Sequence, residues 1–224
     1  MGKLIVIEGL DGSGKSTQLE LLKERLKKAG VPITAISFPD YESDSSALVK
    51  MYLSGKFGEK ADDVNPFAAS LFYCVDRYAS YKTKWGKDYE SNKAVIAGRY
   101  TTSNAIHQTS KLPESEWKPF LDWLYDIEYV KVGIPKPDLV IFLDMPIEVS
   151  QKLLTGRYHG DEKEKDIHER DVDYLNKCRR AAKFVADYSD YKTVLCARDG
   201  QPRTPDDISD EIFSIVNDVL ELKK

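Results

Sequence analysis

The chain has 224 residues, 33 Lys+Arg against 37 Asp+Glu, a net charge of −4 and 42% hydrophobic residues. That is enough apolar material for one substantial core, so a single domain over 1–224 is expected. The mild acidity, with basic residues scattered except near Lys23–Lys28 and Arg157–Arg170, argues against nucleic acid as a main partner. The N-terminus enters a strand pattern without a charged leader, and no run of about 18 apolar residues occurs, so a soluble, cytoplasmic protein without a membrane partner is expected. Cys74, Cys178 and Cys196 are odd in number and far apart, and read as reduced packing residues.

The first predicted element is the apolar, β-branched run Lys3–Glu8, suited to a buried strand. Directly after it stands Gly9-Leu10-Asp11-Gly12-Ser13-Gly14-Lys15-Ser16-Thr17, a complete GxxxxGK[ST] loop. Its glycines let successive backbone N–H groups converge on phosphate oxygens, Lys15 neutralises β/γ charge, and the Ser16 hydroxyl is a ligand for Mg²⁺. Leu19, Leu22, Leu26 and Ala29 follow at helical spacing, and Gly30 closes the helix Ser16–Ala29. Strand, loop and helix in that order are the context that separates a triphosphate site from a chance glycine-rich turn.

Further strands are expected at Ile33–Phe38, Ala94–Ala97, Leu139–Leu143 and Thr193–Cys196. Helical patterns at Ser45–Ser54, Pro66 to about Lys87, Thr101–Ser110, Glu114–Glu128, Pro146–Leu154, Ile167–Tyr188 and Pro205–Leu222 separate or follow them. Such alternation implies an α/β fold, a doubly wound, five-stranded, mostly parallel sheet with helices on both faces. Ligands in these folds gather at the carboxyl ends of the strands. Phe38-Pro39-Asp40, Gly98-Arg99-Tyr100 and Asp144 stand at those ends.

Tyr73 and Arg77 lie one turn apart on the largely apolar helix, an aromatic plane beside a bidentate donor that suits a planar base. A buried Asp76–Arg77 ion pair is the competing reading. Arg99 follows a strand, where a forked donor matches a phosphate. The run Gly156–Asp166 is almost devoid of apolar residues and reads either as a solvated loop or as a lid over about 156–167 that brings Arg157 to a transferring phosphoryl group.

In chain order, the phosphate loop, Phe38-Pro39, Leu71–Arg77, Arg99-Tyr100-Thr-Thr-Ser103-Asn104, Gly133–Asp144 and His168-Glu169-Arg170 resemble the thymidylate kinase family of P-loop nucleoside monophosphate kinases over nearly the whole chain. The resemblance implies transfer of a phosphoryl group from ATP, with Mg²⁺, to thymidine monophosphate, by a homodimer whose contact would use residues around Leu48–Leu53 and Pro66–Val75. It implies that Asp11 reaches the acceptor's sugar hydroxyl and that Phe38 belongs to the acceptor site. Tyr73 would stack on thymine, Arg77 would read its exocyclic oxygen, Ser103 and Asn104 would bond its edge, and Arg99 would hold the acceptor phosphate. Ser13 stands where some relatives carry an arginine, which points to a lid-supplied arginine, Arg157. Glu169 would face the sugar, or simply place charge in an early helical turn.

Two positions depart from the family pattern. Gly98 stands where an aspartate is usual, and Asp40 where an arginine commonly meets the acceptor phosphate. Glu8, Asp11 and Asp144 are the carboxylates left to hold metal-bound water, with Asp144 alternatively an N-cap. Lys50 or Lys56 is the candidate for the missing positive charge. These departures keep open two rivals, a related deoxynucleotide or deoxynucleoside kinase with a shifted acceptor, and a nucleotide-binding protein that has lost transfer.

Overall fold

The computed structural model describes residues 1–58, 60, 63–157 and 172–222. Its main sheet has five parallel strands in the order β2-β3-β1-β4-β5, namely β1 (Leu4–Gly9), β2 (Ile33–Ser37), β3 (Ala94–Gly98), β4 (Leu139–Asp144) and β5 (Lys192–Leu195). The helices are α1 (Lys15–Lys28), α2 (Ala47–Leu53), α3 (Pro66–Ser80), α4 (Gly86–Glu90), α5 (Thr101–Thr109), α6 (Trp117–Tyr125), α7 (Ile147–Arg157), α8 (Val172–Tyr188) and α9 (Pro205–Leu220).

Every residue of β1, β3 and β4 is buried, as central parallel strands covered by helices must be. The period of two sorts their side chains between two cores. Ile5 and Ile7 join Ile96, Ile141 and Leu143 under Leu22 and Leu26 of α1 and Ile212 and Val216 of α9. Leu4 and Val6 face the other way, with Val95, Ala97 and Val140, beneath Phe38, Trp85 and Tyr100. A third cluster packs Phe142 against α5, α6 and α8.

Local chemistry sets the helix boundaries. Asn65 caps α3, its side chain accepting from Ala68 N at 2.9 Å with Pro66 at the first helical position, where a missing N–H costs nothing. The expected helix from Pro66 continues through a π-helical segment, Tyr81–Trp85, into α4, and α6 runs likewise into one at Asp126–Lys131. The pattern at Ser45–Ser54 resolves into a 3-10 turn, Asp44–Ser46, followed by α2. Gly30 follows the C-cap of α1 at φ 71°, its N–H donating to Lys27 O at 3.1 Å.

The last strand needs a correction. It ends at Leu195 rather than Cys196, because the chain then forms a small antiparallel hairpin, β6 (Ala197–Arg198) with β7 (Gln201–Pro202). Its turn is Asp199-Gly200, both at positive φ (51° and 72°), the backbone a tight hairpin requires. Among the described residues, no helix is long and apolar enough to cross a membrane.

The topology explains where a ligand belongs. The chain leaves β1 towards β2 on one side, and leaves β3 towards β4 on the other, although β1 and β3 are neighbours. Their carboxyl ends therefore part around a crevice, the place where doubly wound folds bind ligands.

Candidate active site

The crevice opens into a cleft of ≈ 660 Å³. Into it converge Asp11, Lys15 and Ser16 from the phosphate loop, Phe38 from the end of β2, Tyr73 and Arg77 from α3, and Arg99, Ser103 and Asn104 from the end of β3 and α5. Sequence separations of up to 93 residues are thus closed by the sheet, because these elements begin or end at its carboxyl edge. The other loop residues, Gly9, Leu10, Gly12, Ser13, Gly14 and Thr17, do not line this cleft.

The loop is shaped by close backbone approach. A Cβ on Gly9 would stand 2.5 Å from Ser13 Oγ and 3.1 Å from Leu143 O, so only hydrogen fits there. Gly14, at φ 87°, is the left-handed residue from which α1 starts. Lys15 Nζ donates to Leu10 O at 2.7 Å and lies 3.6 Å from Asp11 Oδ1. Burial, joined by the Arg99 charge, pulls the Lys15 ammonium down to about 8 against the opposing pull of Asp11 and Glu8. Ser16, in the first turn of α1, is exposed at the cleft.

Arg99 links the loop to the rest of the cleft. It sits at φ 64°, a left-handed conformation that non-glycine residues seldom adopt and that concentrates at functional sites. Arg99 Nη2 donates to Asp11 Oδ1 at 2.7 Å, and Nη1 lies 3.4 Å from His107 Nε2. Burial alone would raise the Asp11 carboxyl, but Lys15 and Arg99 outweigh it and hold the group at about 2. The His107 imidazole is also lowered, to about 4, by burial and then the Arg99 charge, which leaves it uncharged. At neutral pH the cluster therefore holds an anionic Asp11, a cationic Arg99 and a neutral His107.

Below this cluster Glu8 is fully buried at the end of β1. It accepts from Gly9 N (2.9 Å), Thr102 Oγ1 (2.6 Å) and Ser103 Oγ (2.7 Å), three donors that compensate a buried carboxylate. The Ser103 hydroxyl expected at a base edge is thus engaged with Glu8, though its residue still borders the cleft. Asn104 Nδ2 donates to Ser70 O at 3.1 Å. Burial raises the Tyr73 phenol, so it stays protonated, and its ring meets Tyr52 edge-on with centroids 6.4 Å apart.

Arg77 does not pair with Asp76. Its Nε donates to Glu128 Oε2 at 2.8 Å and its Nη2 to Glu128 Oε1, a bidentate pair in which both residues are buried. Thr101 Oγ1 donates to the same carboxylate at 2.7 Å. Arg77, though buried, also borders the cleft. Asp76 instead organises the Phe38-Pro39-Asp40 turn, accepting from Asp40 N at 2.8 Å and Ser45 Oγ at 2.6 Å.

The two departures from the family pattern have physical settings. A Cβ on Gly98 would meet Leu19 Cδ2 at 3.0 Å, so a side chain there would press on the tip of Leu19 of α1. The Asp40 carboxylate is paired with Lys84 at 2.6 Å and does not line the cleft. Neither Lys50 nor Lys56, both exposed, lines it. Asp144 ends β4, as expected, and its carboxylate is paired with two cations of α8. It accepts from Arg179 Nε and Nη2 at 3.1 and 2.9 Å, with Lys183 at 3.6 Å. The side chain of Arg157 and the whole of Glu169, together with the proposed lid beyond Arg157, lie outside the described residues.

Tyr52, His107, Gln108 and Lys111 also border the cleft and were not anticipated. Three of them carried a signal, since His107 and Gln108 follow Ser103 and Asn104 at four-residue spacing on α5, and Lys111 continues that spacing just past the helix end. Lys111 Nζ donates to Tyr52 OH at 2.7 Å. Glu128 carried no such signal, because its partner Arg77 is 51 residues away.

Comparison with known proteins agrees with this architecture. A family model described as Thymidylate kinase matches residues 7–203. Thymidylate kinase of Mycobacterium tuberculosis is 32% identical over 174 residues, which are 76% of this chain and 79% of that protein. Thymidylate kinase of Danio rerio is 27% identical over 220 residues, 97% of this chain and 94% of that protein. The solved structure of thymidylate kinase from Candida albicans superposes with a TM-score of 0.71 at 24% identity, covering 100% of this chain and 95% of that one, and shares its fold. The chain belongs to the thymidylate kinase family.

Proposed function

We propose that this protein transfers the γ-phosphoryl group of ATP to thymidine 5'-monophosphate, giving ADP and thymidine diphosphate, a step in making deoxynucleotides. Family membership supports the reaction. The observation that carries the site assignment is the 2.7 Å bond between Arg99 and Asp11, which joins the loop that takes the donor to the arginine that takes the acceptor.

In this reading Lys15 and the N–H groups of the loop hold the β- and γ-phosphates at the N-terminus of α1. Arg99 holds the acceptor phosphate and Asp11 the sugar hydroxyl. Tyr73, Phe38, Arg77 and Asn104 form the base site, and Ser103 supports it through Glu8. Arg157, at the end of α7, supplies the lid arginine, with Glu169 on the sugar side. An acceptor monophosphate is already ionised, so positioning and charge neutralisation suffice and no strong general base is needed.

The donor set fits Mg²⁺, a hard cation that takes one or two protein oxygens and keeps its other positions for waters and phosphates. Ser16, exposed at the cleft beside Lys15, offers such a hydroxyl. When bound with ATP, the ion neutralises charge on the β- and γ-phosphates.

We further assign a homodimer working in the cytoplasm. Leu71, Val75 and Tyr78, 41–52% exposed, stand at i, i+4 and i+7 on α3, a stripe that a second copy would cover.

A coupled ADP-release assay over nucleosides and nucleoside monophosphates tests the function. Turnover greatest with thymidine monophosphate is expected. Preference for a nucleoside would indicate the shifted acceptor, and ATP binding without turnover on any acceptor would indicate lost transfer.

A further inference from the structure

Arg99 is held at two of its nitrogens by groups of different charge. Asp11 accepts from Nη2 at 2.7 Å, and His107 Nε2 faces Nη1 at 3.4 Å. A guanidinium has only donors, so Nε2 meets it favourably only through its lone pair. That requires the ring proton to be on Nδ1, which points at Cys178 Sγ, 4.0 Å away on α8. We propose that His107 is a positioning residue for phosphoryl transfer, a neutral Nδ1–H imidazole whose Nε2 lone pair aims the Arg99 guanidinium at the acceptor phosphate. This inference rests on the assignment of Arg99 as the acceptor-phosphate arginine.

The neutrality of the anchor matters as much as its geometry. Glu8 and Asp11 already place negative charge against Arg99, and a further carboxylate in contact with it would weaken the field that attracts a phosphate. An imidazole fixes the fork's orientation without lowering its charge, and it consumes one of five N–H donors. Asp11 takes another, leaving three for the incoming anion. Orientation needs such support because Arg99 comes from a strained turn rather than from a helix or strand.

The charged groups facing His107 explain its protonation state. Arg99 and Lys15 oppose a proton on the ring, while Asp11 and Glu8 favour one. Cys178 Sγ also meets Ser110 Oγ at 3.4 Å, so the far side of the ring is packed against a weakly polar wall. Burial and the Arg99 charge prevail, and the ring is neutral over the range in which a kinase of this kind works.

The test compares His107→Gln, whose carboxamide oxygen restores a neutral acceptor, with His107→Phe, which keeps ring bulk without one, and His107→Glu, which adds charge. KM for thymidine monophosphate and for ATP are measured separately with the full chain, and the ring nitrogens of the wild type are observed by ¹⁵N NMR from about pH 5 to 8. The expected result is a rise of about tenfold in the acceptor KM for Phe, a larger one for Glu, and recovery to within about threefold for Gln, with ATP KM unmoved. The expected NMR signature is an unchanging Nδ1–H neutral tautomer. Equal effects of Gln and Phe, a Glu variant that binds acceptor as well as Gln, or an Nε2–H or charged ring near neutral pH would overturn the proposal. The NMR arm uses only wild type, so it decides even where a variant fails to fold. If no acceptor turns over at all, the functional assignment has failed; if turnover occurs but the variants do not separate, only the role of His107 has.

Discussion

At the scale of single residues, the cleft is an arrangement of charges that restrain one another. Arg99 is the member whose loss is least replaceable, because it alone is bonded to Asp11 at 2.7 Å from the end of β3, and neither Lys50 nor Lys56 lines the cleft. Arg99→Ala is therefore expected to lower kcat/KM for thymidine monophosphate by about 10²–10³-fold with little change in nucleotide binding, as steady-state kinetics with each substrate varied will show. Lys15 predicts a pH dependence. Its ammonium is pulled down to about 8, so its charge is complete at lower pH and lost as pH rises through that value. ATP affinity should accordingly be level below about pH 7 and fall towards pH 9, whereas a flat alkaline limb in nucleotide titrations would show Lys15 to be an ordinary lysine. That Lys15 and Arg99 border the cleft was legible in the sequence, because motif spacing and a strand end place them without any long-range pairing, whereas Asp11, an unspecified position of the loop motif, was singled out by the family resemblance. His107 was legible only as a neighbour of Ser103 on the helix, since nothing local says that a histidine two turns into a helix will meet an arginine at the end of the preceding strand.

At the scale of elements, the Arg77–Glu128 pair joins α3 to the π-helical segment after α6 beside the cleft where we propose that the base binds. Both residues are withdrawn from solvent, so removing one partner leaves an uncompensated charge. Glu128→Ala should cost about 3–5 kcal/mol in urea unfolding, and replacing both partners by apolar residues of similar volume much less. Equal losses for the single and double replacements would show that packing rather than charge governs the position. Sequence periodicity located nearly every strand and helix here, because burial on one or both faces writes itself into the order of apolar residues. It missed the β6–β7 hairpin, too short to carry a period, although Asp199-Gly200 was a turn signal in plain sight. It placed Asp144 at the end of β4 but gave no sign of its partner. The pair with Arg179 depends on α8 packing behind the sheet, a contact 35 residues distant.

At the scale of the whole molecule, the strand order makes the site. Placing β1 next to β3 while their connections leave in opposite directions opens the crevice in which the phosphate loop and Arg99 meet. The apolar stripe on α3 lies on the helix that also carries Tyr73 and Arg77, so association of two copies would brace the base site from behind. Val75→Glu, at a position 52% exposed, should convert a dimer into a monomer in light scattering and raise the acceptor KM; an unchanged mass would show that copies of the chain do not meet there. The most direct test of the function follows the transferred group itself. With ATP labelled in its γ-phosphate, Mg²⁺ and thymidine monophosphate, the label should appear in the β-position of thymidine diphosphate, one for each ADP formed; label found only in inorganic phosphate, or remaining in ATP, would contradict the assignment.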